Sequence, residues 1–276
     1  MVFWKNRNSV VVLFLGLILI PTQAWAEKKD YVLGVFPFVP LAKLEKAFSP
    51  VAKDLELTLD KKVELRSKPT FTKFSEEIRN QSYDIAFVQP FDYVTAHDKY
   101  GYLPLARRNT PLNGVILVSI DSDISSIEQL KGKVVSSPPE VSALAHLTNM
   151  ALSEKGINAK KDVTRIYAKN HFACMQAVLL GKAQACGTAK RAMAQFEDKE
   201  MSKRFKIIAQ TPKIPHSLFV VHSRVSKDER EMLKNRIITW EKTATGKQIL
   251  ERSNLVPFVE AHDKEYNVVR NYLKTN

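Results

Sequence analysis

Short apolar runs alternate with amphipathic stretches along most of the chain. Tyr31–Phe36 (YVLGVF), Lys62–Ser67 and Asp84–Val88 (DIAFV) read as strands, because short runs rich in Val, Ile and Phe suit strands covered on both faces. Leu41, Leu44, Phe48, Val51 and Leu55 recur every three or four residues, which defines one face of a helix over Leu41–Leu57. Pro50 lies inside that span and is expected to kink or split the helix. Thr70–Asn80 is a shorter helix with Phe71, Phe74 and Ile78 inward. The third strand runs straight into Gln89-Pro90-Phe91-Asp92-Tyr93, and the β-branched run Gly114–Ile120 (GVILVSI) is expected to open a second sheet.

The pattern then repeats. Ser126–Leu130 is a helical turn, Lys133–Ser136 a strand, and Glu140–Lys155 a helix ended by Gly156. Val163–Tyr167 and Ala183–Gly187 read as strands around a helix over Asn170–Leu180, and a polar helix follows over Lys190–Phe196. Phe205–Ala209, a proline-flanked loop over Thr211–His216, and a strand over Leu218–His222 precede about fifty mostly helical residues. Strand–helix alternation is the signature of an α/β protein. Two such runs with a tail able to return to the first predict two α/β lobes, 27–112 with 210–276 and 113–209, joined by crossing strands. In such sheets ligands bind where strand ends and helix N-termini converge.

The N-terminus changes the picture. Lys5 and Arg7 precede an apolar run over Ser9–Ile20, Pro21 breaks it, and Ala24-Trp25-Ala26 supplies small residues before Glu27. This is the form of a secretory leader cleaved after Ala26, and the run is shorter than the roughly 20 residues a membrane span needs. The mature chain is therefore expected to be soluble and periplasmic. The 276 residues are 45% hydrophobic and 26% charged, which excludes a disordered chain and a multi-span membrane protein. Lys and Arg number 42 against 29 Asp and Glu, a net +13 that falls to +11 without Lys5 and Arg7. No block exceeds three like charges, so the excess is expected over the outer faces. Export and the lack of a basic stripe interleaved with aromatics argue against nucleic acid as a partner.

In an oxidising compartment Cys174 and Cys186 acquire a second reading. A helix from Cys174 to Gly181 climbs about 10 Å, and a strand from Lys182 to Cys186 returns about 13 Å. The sulfurs can meet, so a disulfide is allowed, alongside two buried thiols or a soft-metal thiol site. A metal is disfavoured, because the chain has no third cysteine and His171 is the one imidazole nearby.

YDIAFVQPFDYVTA, LKGKVVSSPPEVSALAHL, HFACMQAVLLGKAQACGTA and IPHSLFVVH, in this order, resemble the phosphonate-binding (phosphate/phosphite/phosphonate) family of periplasmic solute-binding proteins. The resemblance implies a two-lobed, type II Venus-flytrap fold that delivers a small molecule to a membrane ABC permease and performs no catalysis. A sensor of the same fold, signalling to a membrane histidine kinase, would look the same. The family's hydroxyl-rich turn opening a helix aligns with Pro138-Pro139-Glu140-Val141-Ser142-Ala143-Leu144, where only Ser142 keeps a hydroxyl. Ser137 could instead cap a helix with proline at its first position and Glu140 at its third. Either register leaves few donors for a dianion, and each lost hydrogen bond to a charged group is worth about 1.5–3 kcal/mol. The ligand is therefore expected to have drifted toward something larger and partly apolar. Its expected contacts are Phe38, Gln89, Tyr93, Ser136, Ser142, His171 and Thr188. G-x-S-x-G, H-E-x-x-H and C-x-x-C are all missing, so an exported enzyme is disfavoured and no cofactor is expected. A monomer is expected.

Overall fold

The computed structural model describes Met1, residues 30–193 and residues 199–275. The leader with its cleavage site, and the last part of the helix expected over 190–196, lie outside the described residues.

Two mixed sheets carry the chain. β1 (Tyr31–Val35), α1 (Leu41–Leu59), β2 (Val63–Ser67), α2 (Phe71–Arg79), β3 (Ile85–Val88) and α3 (Pro90–Tyr100) build a parallel core in the order β2-β1-β3. β4 (Tyr102–Arg108) then leads out to β5 (Val115–Ser119) of the second sheet. That sheet adds β6 (Val134–Ser137), α4 (Ala143–Glu154), β7 (Thr164–Tyr167), α5 (His171–Leu179), β8 (Ala185–Thr188), α6 (Lys190–Met193), α7 (Lys199–Lys203) and β9 (Phe205–Gln210), with strand order β7-β6-β8-β5-β9. β10 (Leu218–His222) returns to the first sheet, antiparallel between β3 and β4. α8 (Lys227–Ile238), α9 (Ala244–Ser253), β11 (Phe258–Glu260) on the edge beside β4, and α10 (Asn267–Thr275) complete it.

The sheets are thus matched, each with three parallel strands followed by an antiparallel strand that arrives through a crossing segment. Strand alternation explains why the second sheet is buried on both faces: Val115 and Leu117 pack into one cluster with Cys174, Met175 and Phe205, while Ile116 and Val118 pack into another with Leu130, Val135 and Leu152. In the first sheet Leu33, Val35, Ile85, Phe87 and Phe219 are fully buried beneath α1 and the C-terminal helices.

Pro50 does not split α1. The helix runs on to Leu59, because Leu44 and Phe48 before the proline and Val51 and Leu55 after it bury on one continuous face that outweighs one missing N–H bond. The helix expected from Glu140 starts instead at Ala143, with Ser142 rather than Ser137 as its N-cap. β4 was not evident from the pattern. Its sequence YLPLARR carries Pro104, which the sheet accommodates at a register shift where Phe219 faces Ala106 and Val220 faces Pro104.

The crossing segments meet. Leu112 and Ile214 exchange backbone hydrogen bonds of 2.8 and 3.0 Å, a single antiparallel bridge between the chain leaving the first sheet and the chain coming back.

Candidate ligand site between the two sheets

The C-terminal ends of all six parallel strands converge on one cavity of about 530 Å³. Phe36–Leu41 follow β1, Lys68–Phe71 follow β2, and Gln89 follows β3. From the second sheet come Pro138, Pro139 and Ser142–Leu144 after β6, Lys169–His171 after β7 and Ala189–Arg191 after β8. Arg108, Leu112, His216 and Ser217 line it from the crossing segments. Such a convergence is where open α/β sheets hold ligands.

Of the residues singled out from sequence, Phe38, Gln89, Ser142 and His171 line this cavity. Three do not. Tyr93 lies one turn into α3, fully buried, its hydroxyl donating to Asp263 Oδ1 at 2.8 Å and its ring edge-on to Tyr266 at 4.6 Å. Burial, with Asp263 adding to it, raises its phenol pKa. Ser136 is fully buried within β6, its hydroxyl without a hydrogen-bond partner among the described residues. Thr188 stands behind the wall, its hydroxyl 2.7 Å from His171 Nδ1, and so orients that ring rather than meeting a ligand.

Gln89 has no N–H donor left for an anion. Its Nε2 donates to Asp92 Oδ2 (2.9 Å) and to the Val141 carbonyl (2.7 Å), and its Oε1 accepts from the Ala143 amide (2.8 Å). Burial pushes the Asp92 carboxyl up to about 6. Gln89 therefore ties the first sheet to the start of α4. Phe91 reinforces the tie by stacking on His146 at 4.2 Å, with Tyr272 edge-on at 5.9 Å. At α4 itself, Ser142 Oγ accepts from Ala145 N (3.3 Å), so serine cap and glutamine between them occupy donors that an anion would use at a helix N-terminus.

The charge lies elsewhere. Arg108 ends β4 and is only 3% exposed; Phe87 lies under its guanidinium at 5.5 Å. Its Nε is buried with no hydrogen-bond partner among the described residues. Burial pushes its pKa down to about 9, Arg191 adding to the effect. The neighbouring Arg107 faces the other way, as strand alternation requires, and pairs with Glu265 at 2.7 Å. Arg191 lies on α6 and is more exposed than Arg108; partial desolvation lowers its pKa. His171 falls to about 4 through burial and the nearby Arg191, and His216 to about 2 through burial, Arg108 and Arg191. His216 Nδ1 accepts the Ser217 N–H at 2.7 Å, which leaves the proton of the neutral ring on Nε2. Lys169 and Lys190 add charge at the rim, whereas Lys68 is already paired with Glu77 at 2.5 Å. No carboxylate is among the described lining residues.

This corrects the expectation that the positive charge sits only on outer faces. Basic residues converge on the cavity, and an anion there would relieve the mutual repulsion of two guanidiniums and permit two imidazoles to protonate. The sequence reading missed Arg108, Arg191 and His216. Arg107-Arg108 looks like a solvated pair, but alternation along a strand sends one of two adjacent arginines inward.

Beside the site, Cys174 and Cys186 form a disulfide with Cα atoms 5.8 Å apart, which resolves the alternatives left open by sequence. It ties α5 to β8, the elements that carry His171 and Thr188.

Two mixed α/β sheets joined by crossing segments, with a cleft at the strand ends, define the fold of a two-lobed periplasmic binding protein. The chain belongs to the family described as ABC transporter, phosphonate, periplasmic substrate-binding protein, which matches residues 33–266. It is 21% identical over 269 residues to the phosphonates-binding periplasmic protein of Escherichia coli (strain K12), covering 93% of this chain and 79% of that one. Its fold is similar to that of PhnD1 from Prochlorococcus marinus, solved with methylphosphonate (TM-score 0.78, 19% identity, 90% and 98% of the two chains). It is also similar to a Xanthomonas citri protein bound to ATP (TM-score 0.72, 14% identity, 88% and 95%). The family is one of substrate-binding proteins that serve ABC transporters, not of enzymes.

Proposed function

We propose that the mature protein, released by cleavage after Ala26, binds a tetrahedral oxyanion of the phosphonate class in the periplasm. It then presents the ligand to a membrane ABC permease, as a monomer and without catalysis. Residues 27–112 with 210–276 act as one lobe and 113–209 as the other, closing over the ligand. The observation that carries this reading is the pair Arg108 and Arg191 at one cavity, the first with a buried, unpartnered Nε and neither facing a described lining carboxylate. Hydrogen bonds between guanidinium and oxyanion are charge-assisted and about twice as strong as neutral ones. His216 Nε2–H and His171 complete the donor set, so the anion is held by side chains rather than by the serine turn. No observation favours a kinase partner over a permease.

The test is thermal unfolding of the purified mature chain with methylphosphonate, phosphate and sulfate. A ligand present at 100 times its Kd adds about 2.7 kcal/mol to stability, a rise of several degrees in Tm. Stabilisation by at least one oxyanion is expected. Stabilisation by neutral or cationic solutes alone would overturn the reading.

A further inference from the structure

The cavity has two chemically distinct sides. Every phenylalanine in its lining comes from the loop after β1 or from the start of α2. Phe36 and Phe38 lie 4.9 Å apart, Phe36 and Phe71 5.9 Å, and Phe38 continues into the core through Phe48 at 6.0 Å and Phe87 at 6.4 Å. This aromatic wall is therefore braced from behind rather than mobile. Val39 and Pro40 extend it. Gln89, which could have interrupted it with a donor, has both amide N–H groups engaged elsewhere. Apart from Lys68, which is paired with Glu77, the cations and imidazoles come from the crossing segments and from the residues after β7 and β8.

Size points the same way. A cavity of about 530 Å³ is in the range that encloses whole organic ligands. An inorganic oxyanion displaces only a few waters of about 30 Å³ each. A headgroup bound by Arg108 and Arg191 would leave the phenylalanine wall facing water, where its apolar surface contributes nothing to affinity.

We propose that the ligand is an amphiphile, a phosphonate or sulfonate headgroup bonded directly to an apolar body of aryl or butyl size, with the body seated on Phe36, Phe38 and Phe71. This rests on the oxyanion reading above and narrows it. Affinity follows apolar area, about three- to four-fold for each methylene buried, as long as the body fits the wall.

Calorimetric titration of the full mature protein with methyl-, butyl- and phenylphosphonate, and with the matching sulfonates, tests it. Phenylphosphonate is expected to bind at least about 30-fold more tightly than methylphosphonate. Phe38→Ala is expected to cut that ratio at least about five-fold, and Phe71→Ala to cut it in the same direction, with each variant's folding checked by its Tm. A wild-type ratio near one, or a preference for the methyl compound, overturns the amphiphile and leaves the oxyanion reading intact. Binding of no phosphonate and no sulfonate overturns the oxyanion reading itself. Parallel rises along both series support the body, and the better series identifies the head.

Discussion

The turn opening α4 and the corner formed by Arg108, Arg191 and His216 both face the cavity, but they differ in what they can still donate. At α4, Gln89 takes the Ala143 amide and Ser142 takes the Ala145 amide, so two of the backbone donors at its start are already satisfied within the protein. At the arginine corner no described carboxylate neutralises the charge, and one guanidinium nitrogen is buried without a partner. A helix terminus contributes about half a charge and is easily satisfied locally. A buried guanidinium contributes a full one and waits for an anion. A family site can therefore lose its serine turn and keep its preference for anions, provided charge enters from another element.

The largest effect is expected from Arg108→Met. Losing two charge-assisted hydrogen bonds should weaken oxyanion binding about 100-fold or more, as read by calorimetry. The unliganded variant should melt no lower than wild type, because an uncompensated buried charge leaves with the side chain. A loss below three-fold would break the comparison.

Proton linkage comes next. His171 and His216 are held neutral in the free protein, at about 4 and about 2, by burial and the adjacent guanidiniums. A bound anion raises both values, so the complex holds more protons than the free protein and affinity grows as pH falls through the bound-state pKa. For a sulfonate, whose own charge is constant, the expected gain between pH 7.5 and 5.5 is about three- to ten-fold. Heats measured in buffers of different ionisation enthalpy should report proton uptake, and proton release would contradict the assignment.

Gln89→Leu removes the tie to Val141 and Ala143. A drop of about five-fold in affinity is expected, with a larger radius of gyration by small-angle scattering for the unliganded chain. An unchanged radius would mean that Gln89 does not hold the sheets together. The smallest effect is expected from Val141→Ser, which restores one hydroxyl to the α4 turn. A gain of up to about three-fold in methylphosphonate affinity fits a turn already satisfied from within, whereas a gain above 30-fold would return the anion to that turn.

Much of the framework was legible because apolar runs such as YVLGVF, DIAFV and GVILVSI are short, β-branched and separated by helical periodicity. The C-terminal ends of the parallel strands point to the cavity, which is why Phe38, Gln89, Ser142 and His171 were found near it. The basic corner was hidden for a physical reason. β4 breaks the strand pattern with Pro104 and ends in two arginines, and Arg107 takes its partner Glu265 from 158 positions along the chain. Tyr93, Ser136 and Thr188 were placed one layer too far forward, since the sequence marks the strand end but not which side chain there turns back into the core. Gln89 lines the cavity as expected, but its bonds to Val141 and Ala143 across the cleft are not legible in the sequence.

The bridge between Leu112 and Ile214 has a consequence for any motion of the molecule. The two covalent links between the halves are pinned to each other at one rung, so any rotation of one half against the other is expected about that rung, with displacement growing with distance from it. Arg108 lies four residues before it along one strand and His216 two residues after it along the other. On opening, they are expected to keep their mutual geometry, while the phenylalanine wall and Arg191, farther out, are expected to move relative to each other.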